Sequence, residues 1–206
     1  MTTSLPQSVL DAADVSAVTQ LVLTERESRD LGRWERLRGC FFPDSRVRLS
    51  WIDGTGEEFV RGSIEMARRG LPAKHRLGPV LVRLNGERAV ASLSAIIDIP
   101  AVVKGTPAHL SSYARFLYRA ERREGRWGLV GFDSVYVRDE FTTPIPGQAI
   151  PLSPEDVAPF RPSYRMLSWT LASQGYEVNM DLAGDDRPET AEALAREVYG
   201  WAGLEP

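Results

Sequence analysis

The chain of 206 residues corresponds to about 1.4 domains at roughly 150 residues each, which predicts one domain plus an extension. Hydrophobic residues at 43% and charged residues at 26% are ordinary for a globular protein and exclude disordered, collagen-like and disulfide-scaffold classes. The net charge of -3, from 25 basic against 28 acidic residues, supplies no positive field for nucleic acid or an anionic membrane, so neither is expected as a partner.

The single Cys40 cannot close an internal disulfide, and the opening MTTSLPQSVLDAADVSAV lacks the basic and apolar regions of a secretory signal, so a cytoplasmic protein is expected. Even the apolar run AIIDIPAVV is interrupted by Asp98 and Pro100, far short of the roughly 18 residues of a membrane span. Only Lys74 and Lys104 among the basic residues are lysine; this arginine bias suits a high-GC coding sequence and leads us to expect a bacterial source. His75, His109 and Cys40 have no zinc-ligand spacing, and GxxxxGK[ST] and GxSxG are both missing. No metal is therefore expected, and nucleotide-loop and serine-hydrolase chemistries drop out.

In chain order, Val15, Val18, Val22 and Leu23 predict a helix over 8–30, stopped by Gly32. A shorter helix is expected over 33–40, ended by a turn at Phe42-Pro43-Asp44-Ser45. Val47, Leu49 and Trp51 alternate with polar residues, which predicts a strand over 46–52 and then a turn at Asp53-Gly54-Thr55-Gly56. A third helix is expected over 63–69. Strands follow at 74–84, 88–103, 108–123 and 126–138, with Asn85-Gly86, Lys104-Gly105 and Glu124-Gly125 as hairpin dipeptides. Helices and long strands in separate blocks predict an α+β fold, a strongly curved, mostly antiparallel sheet wrapped around N-terminal helices. Six prolines between Pro144 and Pro162 mark an extended tether, so we place one unit over 1–143 and an extension over 144–206. In the extension Ser153-Pro154-Glu155-Asp156 starts a short helix, Tyr164, Leu167 and Leu171 lie on a second, and Leu194, Val198 and Trp201 on a last one. About 60 residues are too few for a separate core, so the extension should dock on the main unit as a lid, an oligomer contact or plain stabilisation.

The segments ERESRDLGRWERLRGCFFPDSRVRLSW, KHRLGP and YRAERREGRWGLVGFDSVYVRD resemble, in order, the SnoaL-like branch of the NTF2-like superfamily over the first roughly 140 residues. The resemblance implies an NTF2-like cone whose mouth holds a small molecule. In the scytalone dehydratase and hexachlorocyclohexane dehydrochlorinase type, an Asp at the end of the first helix and a His on the strand after the third are catalytic. Asp30 and His75 occupy those positions here.

Residue chemistry supports the same pair. Asp30 falls in the last helical turn, where the dipole disfavours negative charge, and it follows Leu23 by seven residues, so it shares the inward side. A buried carboxylate needs a partner, and an Asp accepting the Nδ1 proton of His75 would make the other ring nitrogen a general base. Asp30 could instead cap the second helix or lie solvated between Arg29 and Arg33, and His75 could be a packed strand residue. His109, beside a turn, reads as structural or exposed.

Alternation puts Ser112, Phe116 and Tyr118 on one face of their strand, and Phe132, Ser134 and Tyr136 on one face of the last. With Trp51 these are the candidate substrate-binding residues, and Trp34 is a further candidate wall. Phe132 stands where the dehydrochlorinase has an Arg for its leaving chloride, so the substrate must differ. The expected function is a cofactor-independent lyase or isomerase using the Asp30-His75 dyad on a polyketide-, terpenoid- or aromatic-like metabolite. Dehydration, elimination, isomerisation and cyclisation all remain open, as does Asp30 acting as the sole base with His75 as an electrophile. The rival is a non-catalytic module that binds a ligand or dimerises through its open sheet face; a homodimer or homotrimer is expected in either case.

Overall fold

The structure, a computed structural model, describes residues 6–70 and 73–206. Helix α1 (Gln7–Asp30) buries Val18 and Val22, runs through Leu31 and ends where Gly32 takes φ +68, a left-handed turn that glycine adopts without strain. Helix α2 (Trp34–Arg38) inserts Leu37. Helix α3 (Gly56–Arg68) presents Phe59, Val60 and Met66 to the same interior. It begins seven residues earlier than Ser63, because Thr55 and Glu58 form a reciprocal cap: the Glu58 backbone N–H donates to Thr55 Oγ1 at 3.2 Å, and the Thr55 backbone N–H donates to Glu58 Oε2 at 2.7 Å. The expected turn at 53–56 is thus the end of a strand and a helix cap.

The strands are β1 (Phe41–Leu49), β2 (Ile52–Thr55), β3 (Lys74–Leu77), β4 (Leu81–Asn85), β5 (Arg88–Val103), β6 (Thr106–Arg123) and β7 (Arg126–Thr142). They form one unclosed sheet in the order β2-β1-β7-β6-β5-β3, with β4 also on β5. Two expectations are corrected. Pro43 lies inside β1, in an irregularity between Phe41 and Arg46 where the register against β7 shifts; a bulge is where a strand tolerates a residue without an N–H. The segment 74–84 is two strands, separated at Gly78-Pro79, that pair with successive stretches of β5. The β5-β6-β7 meander is antiparallel, but β1 runs parallel to β7, so the sheet is mixed. Long curved strands around α1 and α3 give the α+β, NTF2-like architecture.

The extension comprises α4 (Pro154–Val157), a single 3-10 turn at Pro162–Tyr164, α5 (Arg165–Ser173) and α6 (Pro188–Trp201). Tyr164, Leu167, Leu171 and Leu182 belong to the same buried cluster as Val18 and Phe59, so this segment shares the core of the cone. Its backbone joins the sheet where β1 stops: the Tyr136 N–H donates to the Ala183 carbonyl at 2.9 Å, and the Asp185 N–H to the Tyr136 carbonyl at 2.9 Å. Helix α6 lies on the outer sheet face, where Val198, Tyr199 and Ala202 bury Val90, Leu117 and Val135. Among the described residues no helix is long and apolar enough to cross a membrane.

Candidate active site

The last turns of α1 carry charge into the interior. Glu25 is 0% exposed, Arg26 2% and Arg29 9%, and they continue the stripe that Val18 and Val22 begin. Arg26 is gripped by both carboxylate oxygens of Glu25, whose Oε2 also accepts the Tyr118 hydroxyl at 3.1 Å. Burial works against the Arg26 charge, but Glu25 outweighs it and holds the guanidinium protonated. Burial, above all, pushes the Tyr118 phenol well above its usual range. The Arg26 guanidinium lies 4.9 Å from the Phe132 ring centre, 5.5 Å from that of Phe59 and 5.8 Å from that of Phe116, among faces attractive to a cation.

Asp30 and His75 meet. The ring Nδ1 of His75 lies 2.6 Å from Asp30 Oδ1, and its backbone N–H donates to Asp30 Oδ2 at 2.7 Å. The His75 side chain is buried at 5% exposure and that of Asp30 mostly so at 14%. Asp30 does not cap α2, whose first turn receives no side-chain hydrogen bond from it. Lys74 donates to the Asp30 carbonyl, satisfying an end of α1. Opposite a carboxylate, Nδ1 carries the proton, which makes Nε2 an acceptor facing the Arg26 N–H. That nitrogen is 3.4 Å from Arg26 Nη1, too far for a strong hydrogen bond but close enough for charge to matter. Burial pushes the His75 pKa down to about 4; the Asp30 hydrogen bond opposes this, while the charges of Arg26 and Arg29 reinforce it. Burial acts to raise the Asp30 pKa, but the hydrogen bonds and charge of His75 outweigh it and hold the carboxyl below its ordinary value.

These groups open on one narrow cavity with about 600 Å³ of space free of protein atoms, its mouth included. Trp51, Phe116, Phe132 and Tyr136 line it with His75, Arg26 and Arg29. Three expected binding residues do not. Tyr118 is fully buried behind Phe132, stacked on its ring at 4.4 Å with its hydroxyl spent on Glu25. Ser112 and Ser134 are buried on the interior face without lining the cavity. Trp34 packs on the rim of the core, against Gly32, and His109 is exposed. The Tyr136 hydroxyl accepts the Ser50 backbone N–H at 3.0 Å and so positions the turn that carries Trp51. From the extension, α5 contributes Leu167, Thr170 and Leu171 as one wall.

Glu25, Arg26, Arg29 and the α5 residues were not among the sequence-based candidates. The signal for the first three was present, since positions 18, 22, 25, 26 and 29 share one helical face. Among the described residues no group of three or more His, Cys, Asp and Glu side chains could hold a metal ion.

The comparisons with known proteins agree with this architecture. The family model for the SnoaL-like domain matches residues 11–132. A PEP2-like protein from Fusarium vanettenii is 28% identical over 163 residues, covering 77% of this chain and 70% of that protein. This relative is fungal and gives the expected bacterial origin no support. A putative scytalone dehydratase structure from Novosphingobium aromaticivorans superposes with TM-score 0.55 at 13% identity, over 69% of this chain and 99% of that one. A hexachlorocyclohexane dehydrochlorinase structure superposes with TM-score 0.54 at 14% identity, over 70% of this chain and 99% of that one. At such identities the likeness is one of fold. The family model spans more than half of the sequence, and the chain therefore belongs to the SnoaL-like domain family, within the NTF2-like fold.

Proposed function

We propose that this protein is a cofactor-independent lyase or isomerase in which His75 removes a proton from a carbon next to a carbonyl or leaving group. The observation that carries the proposal is the 2.6 Å contact of Asp30 with Nδ1 of a His75 that lines an apolar-walled cavity, with Arg26 against Nε2. Asp30 fixes the ring and its tautomer and stabilises the imidazolium formed on proton transfer. The Arg26 guanidinium, held by Glu25 and unable to lose its proton, takes up the negative charge growing on an enolate oxygen or a departing anion. It thereby offers from α1 the positive charge that Phe132 cannot offer from β7. Asp30 as the sole base is the weaker variant, because His75 engages both of its oxygens and its pKa is depressed. A dehydratase and a dehydrochlorinase among the structural relatives agree with this reaction class. Dehydration, elimination, isomerisation or cyclisation of an apolar or aromatic metabolite fits the walls.

The test needs no prior substrate. Small ketones and acids that raise the melting temperature would be incubated in D2O and followed by proton NMR for loss of a C–H signal. His75→Gln and Asp30→Asn should each slow exchange at least about 100-fold with the fold intact. Unchanged exchange in either variant refutes the dyad. The alternative is a non-catalytic ligand-binding or dimerisation module. It draws on Ile96, Tyr113 and Val137, half-exposed beside a groove on the outer sheet face. Sedimentation of the protein with and without Tyr113→Glu would test a homodimer or homotrimer built on that face.

A further inference from the structure

Of the two arginines in the cavity, Arg26 has its carboxylate and Arg29 does not. Arg29 is only 9% exposed, and the one hydrogen bond of its side chain among the described residues is to the thioether sulfur of Met66 at 3.6 Å, a weak acceptor. The nearby carboxylates are committed elsewhere: Asp30 gives both oxygens to His75, and Glu25 gives both to Arg26 and one of them also to Tyr118. Arg29 forms no ion pair among the described residues, and burial, with the charge of Arg26, pulls its pKa down to about 10. A guanidinium is the side chain least willing to give up its proton, so an unpaired one facing a cavity calls for an anion from outside.

From this we infer that the substrate carries a carboxylate, and that Arg29 binds it. This rests on the reading of the cavity as a substrate site and adds the chemical class of what enters it. One unpaired cation balances one negative charge, which favours a carboxylate over a phosphate ester with nearly two. The planar fork of Arg29 matches the two oxygens, and the surrounding Trp51, Phe116, Ile97 and Leu171 suit a flat apolar body. Arg29 and Arg26 are three residues apart on one helix face, about 5 Å. A carboxylate on the first therefore leaves the rest of the substrate within the cavity that His75 and the second also line. Arg29 selects and positions the substrate; proton transfer belongs to His75.

Benzoate, benzamide and phenyl phosphate would be titrated by calorimetry into the intact protein and into Arg29→Met. Benzoate should bind at least about tenfold more tightly than benzamide, as expected for one charge-assisted hydrogen bond, and Arg29→Met should erase that preference. Without ligand the Arg29→Met protein should melt no lower than the parent, because the lost charge had no carboxylate partner. If that variant does not fold, Arg29→Gln carries the same comparison. Equal affinity for benzoate and benzamide, a preference that survives the loss of Arg29, or tighter binding of phenyl phosphate overturns the inference. His75→Gln separates it from the base proposal: the variant should keep the benzoate preference, and should do so even if carbon-proton exchange turns out not to need His75.

Discussion

The charge facing His75 can be measured directly, because the protein has only two histidines and the other, His109, is exposed. Arg26 Nη1 lies 3.4 Å from His75 Nε2. The centre of the guanidinium charge is then about 4.5 Å away, and at an effective dielectric of about 20 it disfavours the imidazolium by about 3.7 kcal/mol. Glu25, bound to the Nε and Nη2 edge of the guanidinium away from the ring, returns a part of this, which leaves on the order of one pKa unit. Removing the ion pair as a whole, with Glu25→Gln and Arg26→Met together, keeps the volume and leaves an amide oxygen able to accept the Tyr118 hydroxyl. Heteronuclear NMR of the imidazole resonances should place His75 near its value of about 4 in the parent and about one unit higher in the double variant. Arg26→Met alone should cost about 3–5 kcal/mol of stability by stranding Glu25, and the double variant clearly less. A parent His75 titrating at 6 or above, or no upward movement in the double variant, would refute both the burial of the ring and the role of Arg26 beside it.

Other consequences can be checked by denaturant melts and hydrogen exchange. The folded-state pKa of His75 is depressed from 6.5 to about 4, so the unfolded chain takes up a proton first as pH falls. Stability should be fully present above pH 6.5 and decline by about 3 kcal/mol towards pH 4, a slope that His75→Gln removes. Asp139 behaves oppositely: burial raises its pKa from 3.8 to about 6 although it accepts the Leu167 N–H at 2.8 Å, at the start of α5. Its contribution is greatest below pH 3.8 and lost as pH rises through 6, so Asp139→Asn should stabilise the protein by about 1 kcal/mol or more at pH 8 and change little at pH 4. Asp133, 1% exposed, pairs with Arg48 at 2.5 Å and Arg119 at 3.3 Å, and Arg48 also holds Glu197 of α6 at 2.8 Å. Asp133→Ala should cost about 3–5 kcal/mol and speed amide exchange in α6 before it does so in β6. Equal acceleration across the chain would show that the network does not clamp α6.

How far the sequence could be read depended on whether a feature was local. The stripe of Val18 and Val22, the glycine stops and the hairpin dipeptides each report on a few neighbouring residues, and the elements they predict are present. Thr55 and Glu58 were just as local. Their capping box was hidden by Asp53-Gly54, which reads equally well as a turn, while the chain reverses at Ser50-Trp51. The parallel pairing of β1 with β7 joins residues about 85 positions apart and leaves no mark in either segment. Alternation gave the interior face of β6 and β7, but it does not say how far along the cone a residue sits. Tyr118 and Ser134 therefore share a face with Phe116 and Phe132 without reaching the cavity. The charged end of α1 is hard to read for an energetic reason: Glu and Arg are almost never fully buried unless paired, so residue type argues against an interior place for Glu25, Arg26 and Arg29 even though their helical phase points there.

Stability alone does not explain that charged end. A buried ion pair is often no better than apolar residues of the same volume, so Glu25 and Arg26 contribute little that a Leu and a Met could not. What they provide is a fixed position. With both oxygens of Glu25 on it, the guanidinium is held away from Asp30 and stays against Nε2 at 3.4 Å. A proton arriving on His75 then creates an imidazolium facing a guanidinium, an arrangement that is costly with nothing between them. It is compensated when negative charge grows beside both groups at the same moment. Arg26 and Arg29, which add to burial in making His75 a weak base, thus make it an effective one only for a substrate that leaves an anion behind. That condition separates enolisation and elimination from simple proton uptake, and it makes the loss of Arg26 a loss in turnover rather than in binding.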